Sequence, residues 1–149
     1  MRWWSVILIL LVLGNSCASN RGKVVHDRYL SENYKGKLKE GVVRIQGVSV
    51  SRSFDAQKIE ENSRYILSLL FQKRNENKIG SCTFSLEVSL KEDSFIRDYH
   101  TWNTVTVELS LLDDTTRVFT GFYTEETDST LSSYSYLYSL LERASREVR

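Results

Sequence analysis

The clearest pattern in the chain is a strict alternation of apolar and polar residues over positions 82–91. The apolar side chains stand at every second position: Cys82, Phe84, Leu86, Val88 and Leu90. A period of two over this length predicts a β-strand with one buried and one solvent-facing side. The pattern returns over residues 104–111, and the polar run 113–116 then predicts a hairpin turn into another strand at 117–125.

The first predicted strand, residues 42–51, changes phase in its middle. Val43 and Ile45 have one parity, Val48 and Val50 have the other, and Gly47 lies at the change. Because a slip of one residue turns a strand over, we predict a β-bulge at Gly47 that returns the apolar side chains to the buried face. We also expect a constrained backbone at this glycine, where valine would destabilise the domain by about 1–3 kcal/mol if the native φ is positive.

Two segments have the spacing of amphipathic helices. The inner stripe of the first is Ile59, Ser63, Ile66 and Leu70, and that of the second is Leu131, Tyr134, Leu137, Tyr138, Leu141, Ala144 and Val148. A helix with such a stripe must bury it against another element. We therefore expect Tyr134 and Tyr138 in the core, and Tyr136, which lies on another face, at the surface.

The element order is therefore β-α-β-β-β-α. Alternating strands with one wet side favour an antiparallel sheet that is covered on one face only. The predicted fold class is α+β: a two-layer sandwich with two helices on one face of a four-stranded, mostly antiparallel sheet, in one domain over residues 41–149. The pattern does not decide whether the first strand lies beside the second or at the far edge.

The N-terminus has the parts of a signal peptide. Arg2 precedes an apolar run at 6–13, and three small or polar residues separate this run from Cys17. The run is about half as long as a membrane-spanning helix needs. It resembles the signal peptide of bacterial lipoproteins, which implies cleavage after residue 16, lipidation of Cys17 and, with Ala18 following, sorting to the outer membrane. Cleavage after Ala18, as in a soluble secreted protein, is the alternative.

Residues 17–40 are predicted to be a flexible tether between the lipid and the domain, since 18–41 are polar and basic with few large apolar residues. Without residues 1–16 the chain has a formal net charge of zero, which argues against a nucleic-acid partner. Cys82 is the only other cysteine, so acylation of Cys17 would exclude an internal disulfide.

Residues that could carry catalysis are few. Cys82 with His100 and Asp98 has the residue types of a thiol protease, but Cys82 occupies an apolar position of a regular strand, where a buried structural cysteine is the ordinary explanation. His26 and His100 are the only histidines, and their spacing does not resemble a zinc site. The seven glycines form no nucleotide-binding motif. We predict no catalytic residues, no metal and no cofactor.

One segment, between the second and third strands, combines aromatic and charged residues. We predict a partner-binding site of Arg97, Tyr99, His100 and Trp102, because rings give contact area and a guanidinium binds acidic groups. The alternative is a long hairpin whose aromatic side chains merely continue the two faces of the sheet.

A lipidated cysteine, a short tether, and the order strand, helix, three-strand meander and helix over about residues 41–148 resemble LptE, the lipoprotein that plugs the lipopolysaccharide-assembly barrel. The hairpin at 103–114 and the closing helix carry this resemblance. It implies a non-enzymatic outer-membrane lipoprotein that faces the periplasm and binds a barrel or another envelope assembly protein. A small periplasmic ligand carrier, a lipoprotein that regulates a cell-wall synthase and a divergent hydrolase are the alternatives.

Overall fold

The structure, a computed structural model, describes residues 25–51, 53–76, 78 and 82–149. The predicted signal peptide and Cys17 lie outside these residues. The described elements are strands β1 (Val25–Leu30), β2 (Val42–Ser51), β3 (Thr83–Arg97), β4 (His100–Asp113) and β5 (Thr116–Thr127), a 3-10 turn (Glu32–Tyr34), and helices α1 (Lys35–Glu40), α2 (Ala56–Glu76) and α3 (Tyr134–Ala144).

The strands form one mixed sheet in the order β1-β5-β4-β3-β2. Only β2 and β3 are parallel. The 21-residue helix α2 explains this pairing: at 1.5 Å per residue it spans about 30 Å, which returns the chain to the starting end of the ten-residue strand β2. The first strand of the predicted order therefore lies beside the second at one edge of the sheet.

The predicted class, α+β, is confirmed, but the sheet has five strands instead of four and the described part of the chain has three α-helices instead of two. The additional elements come from the segment predicted to be a tether, of which residues 25–40 are folded. β1 pairs with β5 from Val25↔Thr124 to Leu30↔Phe119. The alternation in β1 is hidden because Arg28 stands on the helix-covered face, where it pairs with Glu147.

The core lies between the helices and one face of the sheet. The central strands bury an unbroken set of apolar side chains, which includes Phe84, Leu86, Leu90, Val105, Val107 and Leu111. From the helix side they are covered by Ile59, Ile66, Leu67 and Phe71 of α2 and by Leu137, Leu140 and Leu141 of α3. The other face of these strands is mainly polar, and none of the described helices packs on it. We call this surface of the sheet the open face.

The end of α2 is fastened to the edge strand β2 by side-chain hydrogen bonds. Asn75 accepts a hydrogen bond from the Val43 amide at 3.1 Å and donates one to the Val43 carbonyl at 2.7 Å. Arg74 donates to the carbonyls of Gly41 and Leu38. Asn75 thus takes the place of a neighbouring strand on the outer side of β2, where unpaired backbone groups would otherwise be exposed.

The predicted β-bulge is confirmed, since the register between β2 and β3 shifts between Ile45 and Gly47. The expected constraint at Gly47 is wrong, since none of the described glycines has a positive φ. A Cβ built on Gly47 meets nothing within 4 Å. The constrained glycine is Gly41, where a Cβ would lie 2.4 Å from a ring carbon of Phe84 and 2.9 Å from the sulfur of Cys82.

We expect Gly41→Ala to lower the free energy of unfolding by about 1–3 kcal/mol, because Phe84 is fully buried and its ring cannot move away without disturbing the core. Gly47→Ala is the matched control: its methyl group has open space, so stability should change by less than about 1 kcal/mol. Urea denaturation at constant slope measures both. Equal midpoints for the two variants would contradict the close approach at Gly41.

Candidate functional site

The hairpin of β3 and β4 extends beyond the rest of the sheet. β5 ends at Thr127, opposite Asn103, whereas β3 and β4 continue through three more pairs, Phe95↔Trp102, Ile96↔Thr101 and Arg97↔His100. Three further residues per strand add about 10 Å. We call residues 95–102 the hairpin tip.

A two-residue turn closes the tip. Asp98 and Tyr99 both have left-handed backbone conformations, with φ of 52° and 64°. Two successive residues with positive φ match the twist of a two-residue hairpin, although this position usually carries Asn-Gly or Asp-Gly. Tyr99 is fully exposed there. Glycine would adopt this conformation without strain, and the Tyr99 ring packs against nothing in the core. Neither folding nor packing therefore requires tyrosine at this position.

Arg97 lies across the aromatic residues of the tip. Its guanidinium carbon is 5.1 Å from the ring centre of Phe95 and 5.8 Å from that of Trp102, which are cation–π distances. The guanidinium then reaches the Glu126 carboxylate of β5 at 2.9 Å. The side chain therefore folds back over the rings on the open face and joins the projecting arm to the main sheet.

The structure brings the four predicted partner-binding residues together at the tip. Arg97 and His100 form its last backbone pair, Tyr99 is in the turn, and Trp102 is half-buried beside Phe95 on the open face. The segment is a long hairpin, and Phe95 and Trp102 continue the open face of the sheet. The exposed fraction of the tip is largest at the turn.

The thiol-protease combination is not assembled. Cys82 stands just before β3 begins, and Asp98 and His100 stand beyond its end, so about 45–50 Å of strand separates them. Cys82 is half-buried against the core, and its thiol points to the Lys37 carbonyl. The described ranges contain no group of three potential metal ligands, and none of their helices is long and apolar enough to cross a membrane.

A buried polar cluster joins β5 to α3. Glu125 lies on the helix-covered face and is almost completely buried. Its carboxylate receives hydrogen bonds from both Tyr123 (2.7 Å) and Tyr136 (2.8 Å), and two from Arg143 at 2.8 and 3.0 Å. Arg143 also donates to the Tyr123 hydroxyl at 2.9 Å. The carboxylate is thus fully satisfied, which is what burial of a charge requires.

Burial and the bond to Glu125 raise the pKa of the Tyr136 hydroxyl. Burial alone would lower the pKa of Arg143, but the hydrogen bond with Tyr123 and the charge of Glu125 outweigh it and raise that pKa. The expectation for the α3 tyrosines is wrong in both directions: Tyr136 is half-buried in this cluster, while Tyr134 and Tyr138 are exposed. An acidic residue on the apolar parity of β5 was the available sequence signal for this cluster.

Two of the surface depressions formed by the described residues are large enough to consider as ligand sites, and both are open to solvent. One, of about 360 Å³, lies on the open face and includes Glu87, Glu108 and Arg117 in its lining. The other, of about 660 Å³, is lined by Leu38, Arg74 and Val148 among others. Neither has the closed apolar walls of a pocket that buries most of a small ligand.

Comparison with known proteins gives a likeness of fold. No family model and no curated protein matches the sequence. A single-substitution variant of the PelC dodecamer from Paraburkholderia phytofirmans is similar over 85% of this chain and 98% of the PelC chain, with a TM-score of 0.53 and 17% identity. PelC in a second crystal form is similar over 85% of this chain and 97% of the PelC chain, with a TM-score of 0.53 and 16% identity. At this identity the likeness shows the fold alone.

We expect Arg143→Met to destabilise the domain by about 2–4 kcal/mol, because it leaves the Glu125 carboxylate buried without its positive partner. Arg146→Met, an exposed arginine on the same segment, is the control and should cost less than about 0.5 kcal/mol. Thermal and urea denaturation measure the difference. If the two variants were equally stable, the cluster would not hold α3 on the sheet.

Proposed function

We propose that this chain is a non-enzymatic lipoprotein of the bacterial cell envelope, anchored through Cys17, that binds a larger assembly on the periplasmic side of the outer membrane. The observation that carries the proposal is a lipoprotein-type signal placed directly before a small α+β domain that shares its fold with nearly the whole PelC chain. The rest of the molecule supports a binding role better than a catalytic one.

The most extensive polar cluster of the described residues has a structural role, which supports a non-enzymatic function. The Glu125 carboxylate accepts hydrogen bonds from Tyr123, Tyr136 and Arg143. These bonds hold β5 and α3 together. An active site instead leaves a reactive group facing a cleft. A ligand carrier is also less well supported, because the depressions at Glu108 and Leu38 are open and shallow.

The hairpin tip is the part of the domain that we propose for protein binding. Phe95, Arg97 and Trp102 form a flat stacked surface, and His100 extends it at the turn. Aromatic rings with an arginine are enriched in binding hot spots. The Arg97–Glu126 ion pair is exposed and therefore weak, so a partner's acidic group can replace Glu126 at small cost.

Two kinds of assembly are compatible with this proposal. The resemblance to LptE suggests a barrel partner, with the domain as a plug. The fold shared with PelC suggests instead that copies of this chain assemble with one another, since PelC is a dodecamer in both crystal forms. We favour an envelope assembly of either kind over a regulator of a cell-wall synthase.

For the anchor, we expect Cys17→Ser to abolish lipidation and release the protein from membranes, because position 17 then has no thiol to receive the lipid. Cys82→Ser is the matched control and should leave membrane association unchanged, as Cys82 packs against the core. Fractionation and intact-mass analysis measure both. An unmodified mature chain that begins at Ser19 would contradict the anchor and favour the soluble secreted form.

For the partner, we expect Arg97→Gln combined with Trp102→Ala to weaken binding by at least about 30-fold, which corresponds to the loss of one hot spot. Arg64→Gln is the control: this arginine is also exposed and also paired with a glutamate, but lies on α2. Co-purification from native membranes with a light-scattering mass measures the complex.

The light-scattering mass of the complex distinguishes the two assemblies. A mass that is a multiple of this chain alone indicates self-assembly, and an additional protein indicates a different partner. If the double variant keeps its fold and still binds its partner, the tip is not the docking surface. If it loses its fold, the two side chains are core residues.

A further inference from the structure

The described part of the chain begins at the same end of the sheet as the hairpin tip. β1 runs antiparallel to β5, and its first residue, Val25, pairs with Thr124. Thr124 pairs with Thr106 of β4, which pairs with Lys91 of β3. The tip lies six residues further along β3, and therefore about 20 Å beyond Val25 in the direction from which the chain arrives.

The most exposed large apolar side chains of the described residues are at this end. Of nine such side chains, three stand out: Phe54 and Tyr99 are fully exposed and Ile96 is 79% exposed. Ile96 and Tyr99 are in the tip, and Phe54 lies between the end of β2 and the start of α2. Because β2 is parallel to β3, its end points the same way as the tip. Phe54 is set back from the tip, since the last residue of β2, Ser51, pairs with Lys91. Three exposed apolar side chains that face the same end of the domain are candidates for a contact surface.

The length of the chain before the domain sets how far this end can be from the lipid. Eight peptide steps separate Cys17 from Val25, and a fully extended chain spans at most about 3.6 Å per step, or about 29 Å in all. The tip covers about 20 Å of that distance when it points towards the anchor. A domain held by Cys17 in this orientation has its tip at the membrane surface.

We propose that Ile96, Tyr99 and Phe54 form a second membrane contact, which rests on the lipid anchor of the proposed function. The side chains lie in the headgroup region of the phospholipid surface beside the acylated Cys17. Tyrosine is enriched at this depth because its ring is apolar and its hydroxyl stays hydrated. Asp98 keeps the contact shallow, since its charge in the turn opposes entry into the hydrocarbon.

The residues between anchor and domain suit the same surface. Arg21 and Lys23 are the charged residues at positions 18–24, and both are basic. Basic residues next to a membrane anchor are attracted to anionic phospholipids. A second contact beside the anchor fixes the orientation of the domain, with the opposite end, at the turn between β4 and β5, directed away from the membrane.

The test uses the full lipidated protein in vesicles of phosphatidylethanolamine and phosphatidylglycerol. In a Cys82→Ser background, Tyr99→Cys carries an environment-sensitive fluorophore, and Thr115→Cys, in the exposed β4–β5 turn, carries the same label as the control. We expect lipids with a headgroup-level quencher to remove most of the fluorescence at position 99 and little at position 115. Adding Ile96→Ser and Phe54→Ser should restore fluorescence at 99, whereas Tyr65→Ser, an exposed tyrosine on α2, should not.

Vesicle flotation separates this proposal from the anchor. A protein that floats with vesicles but has equal quenching at 99 and 115 keeps its anchor and overturns the second membrane contact. A protein that does not float overturns both. If the label at 99 is shielded in native envelope membranes but stays water-exposed in protein-free vesicles, the occupant of this surface is a protein, and the lipid contact is wrong.

Discussion

The structure depends on one constraint: the central strands have a single apolar face that must be removed from water. Burial of a large aliphatic or aromatic side chain contributes about 1.5–3 kcal/mol, so the row from Phe84 to Leu90 and its counterparts on β4 dominate stability. A sheet with one such face needs a covering layer. Helices α2 and α3 provide this layer. Each begins near the end of the sheet where the preceding strand, β2 or β5, ends.

Two polar arrangements define how that layer sits. Asn75 and Arg74 fasten the end of α2 to β2 and to the end of α1, and the cluster around Glu125 fastens α3 to β5. Apolar packing is not directional, whereas these hydrogen bonds are satisfied only in one position of each helix. The hairpin tip lies beyond both helices, so its sequence is free from the demands of the core. Its exposed aromatic residues and strained turn are consistent with a role in binding.

The proposed function follows from placing these parts relative to the N-terminus. β1 brings the start of the domain to the tip end of the sheet, and a short chain before it would hold that end close to a lipidated Cys17. The proposed protein-binding surface and the proposed membrane contact use different sides of the tip. Phe95, Arg97 and Trp102 lie on the open face, whereas Ile96 lies on the opposite side and Tyr99 at the end.

The sequence by itself determined the α+β class, β3 and β4, the bulge near Gly47 and the two main helices, because these follow from local periodicity over ten residues or more. It also identified residues 95–102 as one segment that combines aromatic and charged side chains. Tertiary structure decided the rest. β1 is a short strand with a charged residue on its inner face, and it is stable only through its pairing with β5. The close approach at Gly41 and the partial burial of Tyr136 come from contacts with Phe84 and Glu125, which are 43 and 11 residues away. Local patterns do not carry such distant contacts, so only the folded chain shows them.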